Sequence, residues 1–219
     1  MITPINRRKF FKSSATIAAG FTSLNFFGNM ACAREQPDEK SLYTIGPMEG
    51  YTPHVGTLVS MLNYNRETII NAVKNVTMPE LDFLLDAKAN TIGALILHLG
   101  AVEKFYQVNT FEGRQDLNDQ EKKEWNAPLK LGDEGRASIK GHDIKYYLDR
   151  ITEVREKTLA EFKKKDDAWL LAVDPEWSKR RGPLNTYWKW FHVCEHESNH
   201  RGQISFLKGR LPGAKADND

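Results

Sequence analysis

Four long stretches of this chain repeat their apolar residues at the 3.6-residue period of an α-helix, and none alternates convincingly in the manner of a half-buried strand. In the first, from about residue 52 to 76, His54, Leu58, Met61, Leu62, Asn65, Ile69, Val73 and Val76 form one face, and Thr52-Pro53 supplies a capping threonine with proline at the first helical position. The second begins at Asn90 or Thr91, carries Ala94, Leu95, His98, Ala101, Val102 and Phe105, and ends before Gly113. The third, from about Asp143 to Lys163, keeps Ile144, Tyr147, Leu148, Ile151, Val154, Thr158, Leu159 and Phe162 in register opposite a charged face. The fourth runs from about Asn185 to Gly209 and is stopped by Leu211-Pro212-Gly213. Amphipathic helices bury their stripes against one another, so the expected architecture is all-α, an antiparallel four-helix bundle, with sites built from side chains on facing helices.

The bundle is assigned to residues 51–213, followed by a disordered tail over 214–219. Residues 112–140 are too long to be a turn. Connections beyond about 15 residues in compact domains tend to be functional or to hold small elements, and Asn118 or Asp119 caps a short helix reaching Trp125. Residues 164–184, with Pro175, Gly182 and Pro183, break the helical pattern before the fourth stretch.

Residues 1–33 read as an address rather than as part of the fold. Arg7, Arg8, Lys9 and Lys12 precede an apolar run from about Ser13 to Phe27 with no acidic residue in between, the layout of a signal peptide. The run is about fifteen residues, short of the roughly twenty that span a membrane, so no stable span is expected after cleavage. Asn6-Arg7-Arg8-Lys9-Phe10-Phe11-Lys12 resembles a twin-arginine export signal, which implies the twin-arginine machinery as partner and a periplasmic or extracytoplasmic destination. Ala31-Cys32-Ala33 places cleavage after Ala33. Lipidation at Cys32 is the rival reading, which Asn29 and Met30 fit poorly. Residues 34–50, with Pro37, Gly46, Pro47 and Gly50, form a flexible leader.

Cleavage changes what the composition says. The 219-residue chain carries +2 at neutral pH; without its first 33 residues it loses four of 31 basic side chains and none of 29 acidic ones, leaving about −2. No phosphate-binding stripe remains, and Lys163-Lys164-Lys165 runs straight into Asp166-Asp167, so no nucleic-acid partner is expected. Cys194 is then a lone thiol, and its position on the fourth helix makes it buried and inert.

The six histidines carry the chemistry. His192, His196 and His200 follow one another at four-residue spacing on the fourth helix, and His196 and His200, one turn apart on one face, are placed to chelate one metal ion. A third ligand must come from elsewhere. His98, centred in the apolar stripe of the second helix, is the natural candidate, and His192 is the alternative for either His98 or His200. Three histidines leave a fourth position for water or substrate, the arrangement of catalytic zinc sites. Gln203, three residues beyond His200, stays near the same face and is the candidate partner for a ligating imidazole. Glu195 is expected exposed, His54 to cap or line, His142 to sit in a loop, and Arg201 and Gly202 to serve packing.

The run from Trp190 to Ile204, with His196, three residues, then His200-Arg201-Gly202-Gln203, resembles the last helix of the DinB superfamily. Thr91-Ile92-Gly93, with a histidine seven residues after the threonine at His98, resembles that family's second helix. The two motifs in this order extend the resemblance over the mature chain to Leu211. It implies an up-down four-helix bundle in which His98, His196 and His200 hold a divalent metal, zinc foremost, with nickel and iron as alternatives. It further implies a metal-dependent hydrolase or thiol transferase acting on an unidentified small molecule, with no catalytic side chain assigned. The other reading is a metal-binding or metal-stabilised bundle without turnover. A homodimer along a helix face is compatible with the pattern, though no residue set demands it.

Overall fold

The computed structural model describes residues 42–215; the stretch expected to be an export signal, with Cys32, the expected leader up to residue 41 and the tail from 216 lie outside them. Four long helices carry the described chain: α1 (Pro53–Val73), α2 (Ile92–Phe111), α3 (Ile144–Phe162) and α4 (Thr186–Lys208). All four start where the sequence suggests, and three of them are closed by the expected cap. The side chains of Thr91, Asp143 and Asn185 accept hydrogen bonds from the backbone N–H groups of Ala94, Tyr146 and Trp188, satisfying donors that have no partner inside the helix.

α1 is capped differently. Thr52 occupies the cap position, but its hydroxyl turns outward and donates to Asp167 Oδ1 at 2.6 Å. The same oxygen accepts from the backbone N–H of His54 and Val55, so a carboxylate more than a hundred residues away closes the helix start. His54 itself is exposed. Of the leader expected over 34–50, residues 42–50 lie along α1: the Gly46 N–H donates to Ser60, and Met48 backbone sits so close to Gly56 that a Cβ there would meet it at 2.5 Å.

Contacts between helices establish their directions. Asn65 meets Cys194 and Thr68 meets Arg201, so α1 and α4 run the same way. Gly93 lies on Tyr147, Gly100 on Ile151 and Gln107 beside Thr158, so α2 and α3 are also parallel. Asn109 bonds Lys189 at one end while His98 meets His200 further along, making α2 and α4 antiparallel; Arg155 on Leu62 and Arg66 on Ile151 make α1 and α3 antiparallel. The order is therefore up-down-down-up.

Parallel neighbours need a return crossing, and residues 112–143 provide it. The helix Asp119–Lys130, capped by Asn118 in a reciprocal pair with Glu121, extends about 18 Å at 1.5 Å per residue, and Gly132–Ser138 follows it. This connection packs on α2 through Trp125 and Ile139, which is why every residue from Ile92 to Glu103 is buried rather than one face alone. The break at 164–184 holds two further short helices, Asp167–Leu171 and Pro175–Arg181.

Two apolar clusters divide the core. One gathers Val73, Leu95, Tyr147, Ile151 and Ile204; the other gathers Leu58, Leu62, Tyr106, Phe162 and Trp190. Between them lies a layer of buried polar side chains, among them His98, Glu103, Arg66, Arg155, Glu197 and His200. Among the described residues no helix is long and apolar enough to cross a membrane.

Candidate metal centre

His98 projects from α2, and His196 and His200 project from consecutive turns of α4, toward one point between the two helices. Each offers a ring nitrogen, and these nitrogens all lie within 4.8 Å of one another. The ring of His98 stands 5.0 Å from those of both His196 and His200, whose own rings are 4.4 Å apart. Nε2 of His196 and Nε2 of His200 are separated by 3.3 Å. Two nitrogens bound at 2.0–2.1 Å with a tetrahedral angle between them are about 3.3–3.4 Å apart, so this pair is already spaced for one ion.

The outer nitrogens orient the rings. Nδ1 of His98 donates to the backbone carbonyl of Pro128 at 2.7 Å, which leaves Nε2 with its lone pair directed into the cluster. Nδ1 of His200 donates to Gln203 Oε1 at 3.0 Å, and Gln203 in turn gives its amide N–H to Asn199. His196 Nδ1 is buried without a hydrogen-bond partner, so the contact of Nε2 with His200 Nε2 and packing against the neighbouring imidazoles hold that ring.

Burial also selects the protonation state. Loss of water pushes the His98 imidazolium down to about 4 against the opposing hydrogen bond to Pro128, and pushes His196 down to about 3, with His200 and His98 adding repulsion. His200 is likewise lowered by burial. All three rings are neutral near pH 7, the form in which imidazole binds metal. Three neutral imidazoles with two outer nitrogens already bonded are a donor set that fits a borderline divalent ion such as zinc, nickel or iron. His98 and His200 are buried, while His196 is partly exposed.

The remaining histidines stay outside this group. His192 leans on His196 with ring centres 5.4 Å apart, lies flat on Trp188 and donates from Nδ1 to the exposed Glu195 at 2.9 Å. His142 is exposed and stacks on Tyr146. Cys194 is buried on the side facing α1, where Asn65 Nδ2 approaches its sulfur at 2.9 Å, and burial pushes the thiol up. Arg201 donates from Nη1 to Thr68 Oγ1 at 2.7 Å and so ties α4 to α1, but Gly202 faces open space, with nothing within 4 Å of where a Cβ would stand, so it does not serve close helix approach.

Two features lie beyond the expected site residues. The carbonyl of Pro128 carries no signal in its residue type; only the packing of the crossing helix on α2 brings it to His98. The second was visible. Arg66, Glu103, Arg155 and Glu197 each occupy a core position of their helix stripe, as in Tyr147, Ile151, Arg155, Thr158 and Phe162, all buried. They meet in the centre of the bundle.

A family model described as mycothiol-S-transferase matches residues 57–213. Among solved structures the chain is similar to a protein from Streptococcus pneumoniae, with a TM-score of 0.56 and 14% identity over 72% of this chain and 92% of that one. A conserved protein from Enterococcus faecalis gives 0.54 and 14% over 69% and 93%, and an uncharacterised protein from Clostridium difficile 630 gives 0.56 and 15% over 72% and 97%. At these identities the likeness speaks for the fold alone. No curated protein matches the chain.

Proposed function

This chain belongs to the mycothiol-S-transferase family, a DinB-like family, and from that premise we propose that it is a metal-dependent transferase joining a low-molecular-weight thiol to a small electrophile. The observation that carries the reading is the convergence of three neutral imidazole nitrogens within 4.8 Å, with two of the rings locked from behind. His98, His196 and His200 would hold the ion, zinc being the first choice. When bound, the ion supplies a Lewis acid that lowers the pKa of a thiol or water presented to it. The chain's own part is to keep Nε2 of His98 and His200 unprotonated, through Pro128 and Gln203, and to admit the small molecule on the side of the partly exposed His196.

Elemental analysis of tag-free protein tests the site. About one divalent ion per chain is expected, falling to near zero in His98→Ala; sub-stoichiometric metal that His98→Ala leaves unchanged would sink the site. Loss of thiol from a panel of low-molecular-weight thiols mixed with a bimane electrophile tests the reaction, and turnover equal in native protein and His98→Ala rejects it.

The leading sequence favours a second reading. Reduced thiols are scarce outside the cytosol, so an exported member of the family is suited to hydrolysis at the same open position. We place the mature chain outside the cytoplasm on the strength of Arg7-Arg8, with loading of the ion before export because the twin-arginine route carries folded proteins. Exchange of both arginines for lysine should retain the precursor in the cytoplasm, and unchanged export refutes the assignment.

A further inference from the structure

The centre of the bundle holds four charges, one from each long helix. Glu103 comes from α2 and Glu197 from α4, the two helices that carry the histidines; Arg66 comes from α1 and Arg155 from α3, which carry none. Each arginine bridges both carboxylates. Arg66 Nη2 lies 2.8 Å from Glu103 Oε2 and 2.5 Å from Glu197 Oε1. Arg155 donates from Nε to Glu103 Oε1 at 2.7 Å and from Nη2 to Glu197 Oε1 at 2.9 Å. The arrangement is reciprocal: Arg66 Nη1 donates to the carbonyl of Ile151 on α3, four residues before Arg155, and Arg155 Nη1 donates to the carbonyl of Leu62 on α1, four residues before Arg66. All four side chains are at most 7% exposed.

We infer that this layer sets the register of α2 against α4 and thereby positions His98 opposite His196 and His200; its members are positioning residues for the metal centre. The inference rests on the three-histidine reading above. Glu197 is flanked by the ligands, directly after His196 and three residues before His200, so whatever holds its carboxylate also holds the rotation of that turn. Glu103 lies five residues beyond His98, about 7.5 Å along α2.

Stability alone does not account for such a layer, because buried ion pairs replaced by apolar groups of similar volume are often neutral or more stable. Register does. Apolar burial is non-directional, so the two clusters on either side tolerate a slide of α4 along α2. A slide of one turn would instead carry Glu197 away from both guanidinium groups and leave buried charges unpaired, which the low-dielectric interior penalises heavily. A metal site with one ligand on α2 and two on α4 needs that register held within a fraction of an ångström.

The test compares native protein with Arg66→Met/Glu103→Leu/Arg155→Met/Glu197→Leu and with the near-isosteric Glu197→Gln, which covers the case in which the fourfold variant does not fold. The expected result is a helical protein whose urea midpoint is unchanged or higher in the fourfold variant. Its affinity for cobalt, measured by chelator competition, should fall at least tenfold and its visible cobalt spectrum should change, with Glu197→Gln in between. Nitroxides on Glu112→Cys and Ser198→Cys report the α2–α4 distance in metal-free protein, and the distribution should broaden in both variants. Cobalt affinity and spectrum equal to native, or an unbroadened distance, overturns the inference. Should native protein bind no cobalt at all, the metal reading fails, and the distance measurement alone decides whether the layer sets the register.

Discussion

Two glycines on different helices of the bundle should respond oppositely to the same substitution. Gly93 stands in the first turn of α2, five residues before His98, and a Cβ there would meet Tyr147 Cζ at 2.7 Å, its hydroxyl at 2.8 Å and Cε2 at 3.1 Å. Tyr147 has little room to retreat: it is fully buried, and its ring is wedged edge-on against Tyr146 and His142. Gly202 on α4 has nothing within 4 Å. Alanine improves helix propensity by up to about 1 kcal/mol in a helix interior, and no more than that in a first turn. Gly202→Ala should therefore stabilise by about 0.5–1 kcal/mol. Gly93→Ala adds an overpacking cost of about 1–3 kcal/mol, and since its propensity gain is no larger, the two variants should differ by at least that cost. At about 2–4 °C per kcal/mol for a chain of this size, the gap in melting temperature is on the order of 2–12 °C. Urea unfolding followed by circular dichroism at 222 nm on metal-free protein measures it. Gly93→Ala matching Gly202→Ala to within about 0.3 kcal/mol would refute the view that α2 and α3 approach through that glycine.

Removal of the hydrogen bond behind His200 by Gln203→Ala should weaken metal binding about tenfold, or about 1.4 kcal/mol, the low end for such partners because Gln203 is exposed and water replaces it. Calorimetric titration with zinc checks this, and an unchanged affinity rejects the orienting role. Asp167 offers a pH test. Burial alone would raise its pKa, but the bonds from Thr52, His54 and Val55 outweigh it and hold the carboxyl below its ordinary 3.8. A depressed folded value means the stabilisation is fully present above 3.8 and is lost as pH falls through the lower folded value. The urea midpoints of native protein and Asp167→Ala should accordingly differ at pH 7 and converge below pH 3.8, and a gap independent of pH would show that the carboxylate does not cap α1.

Much of the candidate site was legible because it rests on local geometry. His196 and His200 are neighbours on any helix, whatever surrounds it, and the offset of Gln203 from His200 is equally local. His98 entered from its place in the stripe of α2, and the family motifs supported it. The four charges were equally open to reading, since Arg66 and Arg155 sit in largely apolar stripes, yet their pairing was not, because nothing in one helix's period names its partner in another. Gly202 shows the reverse error: a small residue beside a motif suggests close approach, but on α4 that face meets solvent.

Periodicity and capping chemistry settled by themselves that this chain makes four long helices, where they begin, and that two imidazoles share one face of the last, because each depends on hydrogen bonds and side-chain directions within a turn or two. Tertiary structure alone decided that α2 runs parallel to α3 and antiparallel to α4, that a carboxylate on the short helix after α3 closes α1, and that the carbonyl of Pro128 turns the lone pair of His98 toward His196 and His200. Those choices depend on which buried groups find partners across the core, a condition that no single segment can express.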